Sequence, residues 1–188
     1  GMDNTPAWVA VNHRYRPKVV IDAERSPELM RKLEASRKDT RIVPADERIT
    51  TSELYTAYAI QTALRARNYD IGKILASPNT IPALQDVAFN AILIRANQYL
   101  RAIAAEIDEK IPEPLAEAMA KAPAAFAQLY DPERGEFFSR DYHSRELVKE
   151  SSAAGLLALY SGVISAQQAA KIVANIHNPD RFGTPYGI

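Results

Sequence analysis

Apolar positions along this chain recur every three or four residues in separate segments divided by proline, asparagine and aspartate, the mark of successive amphipathic helices. Ser26 and Pro27 open the first, with Leu29, Met30 and Leu33 turned inward and an end near Lys38. A serine oxygen takes up a free amide there, and proline at the first helical position gives up no hydrogen bond. Thr50 with Glu53 forms a capping box ahead of Leu54, Tyr55, Tyr58, Ala59 and Ala63, which predicts a helix over 51–67. Asp70 caps a short turn through Leu75. The strongest period is Phe89, Ile92, Leu93, Ala96, Tyr99, Leu100, Ile103 and Ile107, a long helix with this face packed inward. Pro112 and Pro114 open a further helix carried by Leu115, Ala118, Met119, Ala122, Phe126 and Leu129, which Pro123 is expected to kink or interrupt.

At Asp131 the pattern changes. Asp-Pro-Glu-Arg-Gly is turn chemistry, and Glu136–Tyr142 and Arg145–Lys149 are expected to pair as two short strands. Helices resume over about 152–160, and again after Ser165, whose capping box with Gln168 precedes Ala169, Ile172, Val173 and Ile176 before Asn178 and Pro179 close the segment. The first 25 residues, with Pro6, Trp8, Tyr15 and Pro17, have no sustained period and read as an irregular lead-in. Helix follows helix with one decorated connection and no strand-helix alternation, so the class is all-α, helices paired as hairpins, with one small β-hairpin insertion. No sequence repeat is evident, although helical hairpins repeat structurally without one.

Composition narrows the function classes. At 188 residues and 47% hydrophobic content there is material for one core, and residues 1–188 are taken as a single domain. Lysine plus arginine and aspartate plus glutamate balance at 23 each, which gives no general attraction to nucleic acid or to an anionic membrane. No run has the length of a membrane span, and the first thirty residues lack a basic start followed by an apolar stretch. The absence of cysteine removes disulfides and thiolate metal sites and agrees with a cytoplasmic location. The three histidines, 13, 143 and 177, stand at no metal-ligand spacing, so neither a metal nor another cofactor is expected. His143 and His177 read as surface or capping groups. The dispersed glycines form no phosphate loop, and Ser161-Gly162 lacks the nucleophile-elbow frame, which sets aside phosphoryl transfer and serine hydrolysis.

What remains is carboxylate and aromatic chemistry. Asp3, Asn4 and Trp8 put an acid, an amide and an indole within six residues, the materials of a sugar subsite. Without further context Asp3 reads as a solvated residue near the chain start and Trp8 as a packing residue. Tyr55 and Tyr58, three apart on one helix, read as core or groove tyrosines; Phe89, Tyr99 and Ile103 read as core, and Asp86 with Asn90 as a helix start.

Six segments, taken in order, resemble the (α/α)6 glycoside hydrolases, in the branch of processing α-glucosidases and mannosylglycerate or glucosylglycerate hydrolases. Asp3–Trp8 (DNTPAW) resembles that branch's Asp-Asn-Ser-Pro-Arg-Trp loop, Val43–Tyr58 the lead into a tyrosine-rich helix, and Asp86–Ala96 (DVAFNAILIRA) its central helix. Leu129–Phe138 (LYDPERGEFF) is similar to the decorated hairpin, Ser152–Gly162 to the next helix, and Phe182–Ile188 (FGTPYGI) to a substrate-side loop.

The resemblance implies that the helical hairpins form part of an (α/α)6 toroid. It also implies an inverting hydrolase of α-glycosidic bonds in which Asp3 is the general acid, while Asn4, Trp8, Tyr55, Tyr58 and Tyr186 bind substrate. Inversion needs an acid and a base carboxylate roughly 6.5–9.5 Å apart, the acid with a raised pKa. The chain departs from the pattern at Ala7, where the family has arginine, in lacking the loop before Asp3, and in stopping at Ile188, ahead of the region of the base glutamate. Glu47, Glu53, Glu136 and Glu150 fit surface or capping roles better than that of a base. The expectation is a glycosidase fragment inactive by itself, with a carbohydrate as partner and exposed helix faces that favour a homo-oligomer. The alternatives are a non-catalytic helical carbohydrate-binding or scaffold module, and a complete small hydrolase with a different second carboxylate.

Overall fold

The computed structural model describes residues 25–38, 51–77 and 82–185, together with positions 21, 43, 44 and 48; of 51–53 it describes the backbone alone. The chain divides into two compact units, one within residues 8–83 and the other containing residues 84–188.

In the first unit α1 (Pro27–Ser36) starts as its sequence dictates, the Ser26 hydroxyl accepting from the Leu29 amide at 3.4 Å. Leu29, Met30 and Leu33 are its half-buried positions and the rest of the helix faces solvent. Helix α2 (Thr51–Ala66) buries Tyr55, Ala59 and Ala63. Its Thr50–Glu53 capping box lies outside the described residues. Helix α3 (Ile71–Leu75) is capped by Asp70, whose carboxylate accepts from Lys73 N at 3.0 Å. Its Ile74 packs with Ala63, Ile60 and Leu64.

The second unit begins with β1 (Leu84–Gln85) and α4 (Val87–Glu106), where the Asp86 carboxylate caps the Phe89 amide at 2.9 Å. The face that α4 buries is not the one its pattern predicts. Val87, Ala91 and Ile94 are buried, whereas Phe89, Ile92, Leu93, Tyr99, Leu100, Ile103 and Ile107 are exposed. With 3.6 residues per turn these two sets lie on opposite sides, so α4 is apolar on both. The small residues allow close approach, and that side meets the core; the larger set dominates the period but has no cover among the described residues.

Helix α5 (Glu113–Ala127) runs through Pro123 without interruption, contrary to the expected break. Met119, Ala122, Phe126 and Leu129 form one stripe of it and its end. Their burial on both sides of the proline holds the helix together against a missing amide, because tertiary packing outweighs local propensity.

Two hairpins follow where one was expected. Strand β2 (Tyr130–Asp131) pairs with β3 (Glu136–Phe137), Tyr130 opposite Phe137 and Asp131 opposite Glu136. Strand β4 (Arg140–Asp141) then pairs backwards with β1, Leu84 opposite Asp141, while Arg140 also bridges to Leu147. The expected strand 136–142 is therefore cut in two: its first half pairs with 130–131, and only its second half meets 146–148. Next come α6 (Ala153–Leu156) and α7 (Ala158–Ser161), two short turns in place of the single helix expected over 152–160, joined by tight bonds from Leu157 N to Ala154 O and Tyr160 N to Leu157 O. Helix α8 (Ala166–His177) opens with the capping box in full, Gln168 N to Ser165 Oγ at 3.2 Å and Ser165 N to Gln168 Oε1 at 2.9 Å.

One core unites these elements: Val87, Ala91 and Ile94 of α4 with Phe126, Leu129, Phe137, Ala158 and Ile172. Phe137 stacks on Phe126 with ring centres 5.1 Å apart and tilts against Tyr130 at 5.0 Å. No helix among the described residues is long and apolar enough to cross a membrane.

Candidate active-site segments

Asp3, Asn4, Trp8 and Tyr186 lie outside the described residues, so the structure brings them neither together nor apart. Tyr55 and Tyr58 sit one turn apart on α2 and differ completely in what surrounds them. Tyr55 is buried, and its hydroxyl donates to the Met30 carbonyl at 2.5 Å, tying α2 to α1. Burial pushes its pKa above the usual tyrosine value; the nearby Glu34 carboxylate adds to the rise and Arg37 opposes it. Tyr58 is 40% exposed, which leaves its ring and hydroxyl open to a ligand.

The decorated segment 130–149 gathers buried carboxylates. Asp131 accepts from the Glu133 and Arg134 amides at 2.9 and 3.0 Å and pairs with Lys149 Nζ at 2.5 Å. Its pKa is lowered, first by the hydrogen bond from Lys149 and then by the Arg134 amide, with burial opposing. Asp141 repeats the arrangement, accepting from the His143 and Ser144 amides at 2.9 and 2.7 Å. Glu136, also buried, is paired with Arg181. All three carboxylates thus have fixed partners, an arrangement suited to bracing the hairpins and not to activating a water.

The sequence contains the device that places two of them. Asp131-Pro-Glu-Arg-Gly-Glu136 and Asp141-Tyr-His-Ser-Arg-Glu146 are the same turn, an aspartate folding back on its own backbone and a left-handed residue four places on, Gly135 at φ 66° and Arg145 at φ 64°. Arginine in a position that favours glycine hides the second copy, so Asp141 escapes a reading that looks for glycine.

The hairpin segment is fastened to α4. Ser139 Oγ accepts from Val87 N at 3.1 Å and lies 3.5 Å from Asp86 Oδ2, joining the hairpins to the helix N-terminus. Arg140 donates to Gln85 Oε1 at 2.7 Å and to Gln128 Oε1 at 2.9 Å. At the far end of α7, Arg95 Nε and Gln98 Nε2 take up the Tyr160 and Ser161 carbonyls at 2.9 and 3.0 Å, and Gly162, left-handed at φ 70°, passes within contact of the Arg95 guanidinium. Of the other carboxylates considered for a base, Glu150 is exposed, Glu47 lies outside the described residues, and of Glu53 only the backbone is described. His143 Nε2 is buried without a partner, its ring edge-on to Tyr142, and His177 ends α8. Among the described residues no three histidine or carboxylate side chains are grouped to hold a metal.

Against known proteins, all 188 residues match the domain described as mannosylglycerate hydrolase MGH1-like glycoside hydrolase. The mannosylglycerate hydrolase of Rubrobacter radiotolerans is 30% identical over 180 residues, which are 95% of this chain and 38% of that protein. Its counterpart from Thermus thermophilus is 31% identical over 86% of the chain and 35% of its own length. Among solved structures, a GH63 mannosylglycerate hydrolase from Thermus thermophilus in complex with Tris superposes with a TM-score of 0.74 at 27% identity, covering 94% of this chain and 39% of that one. The same enzyme with Tris and D-glycerate gives 0.73. The helices and hairpins described above are thus a part of the GH63 helical toroid, and the chain spans about two fifths of the length of these relatives. This chain belongs to the mannosylglycerate hydrolase MGH1-like glycoside hydrolase family.

Proposed function

We propose that these 188 residues are one incomplete (α/α)6 domain carrying the acid side of an inverting α-glycoside hydrolase site, with a glycoside of the mannosylglycerate kind as substrate. In this reading Asp3 protonates the leaving glycosidic oxygen, while Asn4, Trp8, Tyr58 and Tyr186 line the subsite and Tyr55 holds the helix that presents Tyr58. The observation that carries it is the match of the whole chain to one glycoside hydrolase domain, with relatives named for hydrolysis of mannosylglycerate.

The base carboxylate is the missing part. Asp131, Glu136 and Asp141, the buried carboxylates among the described residues, are already occupied, and about three fifths of the relatives' length lies outside the matched segment. The chain by itself is therefore inactive, and a cytoplasmic location belongs to the same proposal. A non-catalytic sugar-binding module is the second reading, favoured by those occupied carboxylates.

Hydrolysis of mannosylglycerate, glucosylglycerate and simple α-mannosides and α-glucosides tests both. The assays compare this chain with one lengthened at both ends by the segments that complete the relatives' domain. Activity in the longer form alone, lost in its Asp3→Asn variant, is the expected result. Activity in the 188-residue chain would mean that a base is already present. Sugar binding without hydrolysis in either form would favour the module.

A further inference from the structure

Arg95 stands where α4 and α7 meet. Its Nε donates to the Tyr160 carbonyl at 2.9 Å and its Nη1 to Gln98 Oε1 at 3.0 Å, while Gln98 Nε2 donates to the Ser161 carbonyl at 3.0 Å. The guanidinium carbon lies 5.8 Å from the centre of the Tyr99 ring and 5.4 Å from that of Tyr160. Against it the chain turns through Gly162, where a Cβ would come within 3.0 Å of Nη2 and 3.2 Å of Cζ. Arg95 is half-buried in this setting, and the Tyr99 and Tyr160 side chains that flank it are exposed.

Closing α7 does not require a cation here. Each carbonyl needs one donor, and Gln98 shows that a neutral amide serves; a helix of one turn has little dipole to attract a positive charge. Both groups that Arg95 bonds are neutral, and among the described residues no carboxylate pairs with it. Of the five guanidinium N–H donors, the two bonds leave one on Nη1 and both on Nη2 without an acceptor among the described residues. Those adjacent nitrogens form the planar fork that the two oxygens of a carboxylate match. The bonds to Tyr160 and Gln98 and the two ring contacts fix the fork in advance, which lowers the entropy cost of ordering a long side chain around a ligand. The rings on either side give the carbon body of such a ligand an apolar surface to lie on.

We propose that Arg95, Tyr99 and Tyr160 form a binding site for a small organic carboxylate, held by Nη1 and Nη2 of Arg95 with its carbon body against the tyrosine rings. Gly162 serves the site by leaving room for the guanidinium. The inference is independent of the function proposed above: all of its residues belong to the second unit, and it stands whether or not the lengthened chain hydrolyses a glycoside.

The 188-residue chain, labelled for heteronuclear NMR, is titrated with sodium benzoate, acetate, phosphate and chloride at constant ionic strength. Benzoate is expected to saturate in the millimolar range, with shifts confined to the Arg95 Nε–H and the amides around Tyr99, Tyr160 and Gly162. Acetate, which has almost no body to lay on the rings, is expected to bind at least about threefold more weakly. Arg95→Lys keeps the charge and loses the fork, so it weakens benzoate by about tenfold or more. Tyr99→Ala alters an exposed position, leaves both carbonyl bonds in place and brings benzoate towards the affinity of acetate.

Benzoate shifts no larger than those of chloride, or equal benzoate affinity in the native protein and Arg95→Lys, overturn the site. Phosphate binding tighter than both carboxylates overturns the assignment of the ligand, since phosphate has no carbon body for the rings to hold. If Arg95→Lys unfolds, seen as collapse of amide dispersion, Tyr99→Ala decides: a benzoate affinity unchanged from native removes the rings, and the proposal with them.

Discussion

Among single residues, Asp131 shows most directly how one side chain organises the hairpin segment. It binds the two amides of its own turn and receives Lys149 from the far end of the second hairpin. An asparagine keeps the amide bonds and loses the charge, so Asp131→Asn isolates the lysine contact. The expected loss is about 1–3 kcal/mol in urea unfolding near neutral pH, the usual worth of a buried charge-assisted bond. The sign of the pH dependence follows from the lowered folded-state pKa. The contribution is complete above the ordinary aspartate value of 3.8 and fades as pH falls through the lower folded value. The gap between native and variant proteins is therefore expected to narrow below about pH 4; a gap constant down to about pH 2 would show that the charge is not what binds Lys149. Asp141 has the same turn, but Arg145 in the left-handed position that favours glycine hides it, which is why only the first copy is plain in the sequence. Tyr55 is the opposite case: its position on α2 is legible, and its burial under Met30 depends on a contact 25 residues away that no local pattern contains.

Helix termini are the most legible elements, because capping is local chemistry. Ser26, Asp70, Asp86 and Ser165 each accept the amide that their spacing requires. The strands are the least legible. Each is two residues long, and β1 finds β4 far along the chain, so no alternation can develop and the pairing is decided by where the turns leave the chain ends. Gly155, in α6, has no visible role in the sequence, yet a Cβ at that position would lie 2.6 Å from the Phe137 carbonyl oxygen. Alanine is the better helix former by about 1 kcal/mol, but here the clash with backbone outweighs propensity. Gly155→Ala is expected to destabilise the unit by about 1–3 kcal/mol, measured as a lower urea midpoint at unchanged slope. A midpoint that rises would mean that α6 does not press on β3 in solution.

Across the whole molecule, the consequence that matters most comes from α4 and its two apolar faces. The family's other segments account for about three fifths of the relatives' length, and a helix apolar on opposite sides belongs in the interior of a larger assembly. In this chain the face of Phe89, Leu93, Leu100, Ile103 and Ile107 is open, Phe89 to 77%. Its spacing is symmetric about residue 98: Phe89 answers Ile107, Leu93 answers Ile103, and Ala96 answers Leu100. A second copy laid antiparallel therefore sets apolar residues against apolar residues along the full length, which makes self-pairing through a two-fold axis the natural way to cover the stripe. We propose a homodimer of that form, and charge placed on the stripe tests it without touching the buried side of the helix. Light scattering at tens of micromolar is expected to give twice the chain mass for the native protein and the single mass for Phe89→Glu with Ile103→Glu, the melting temperature of the variant being unchanged when extrapolated to low concentration. A native chain that stays monomeric at that concentration would remove the dimer. Aggregation without a defined size would show that the face is adhesive and that the symmetry of its spacing carries no specificity.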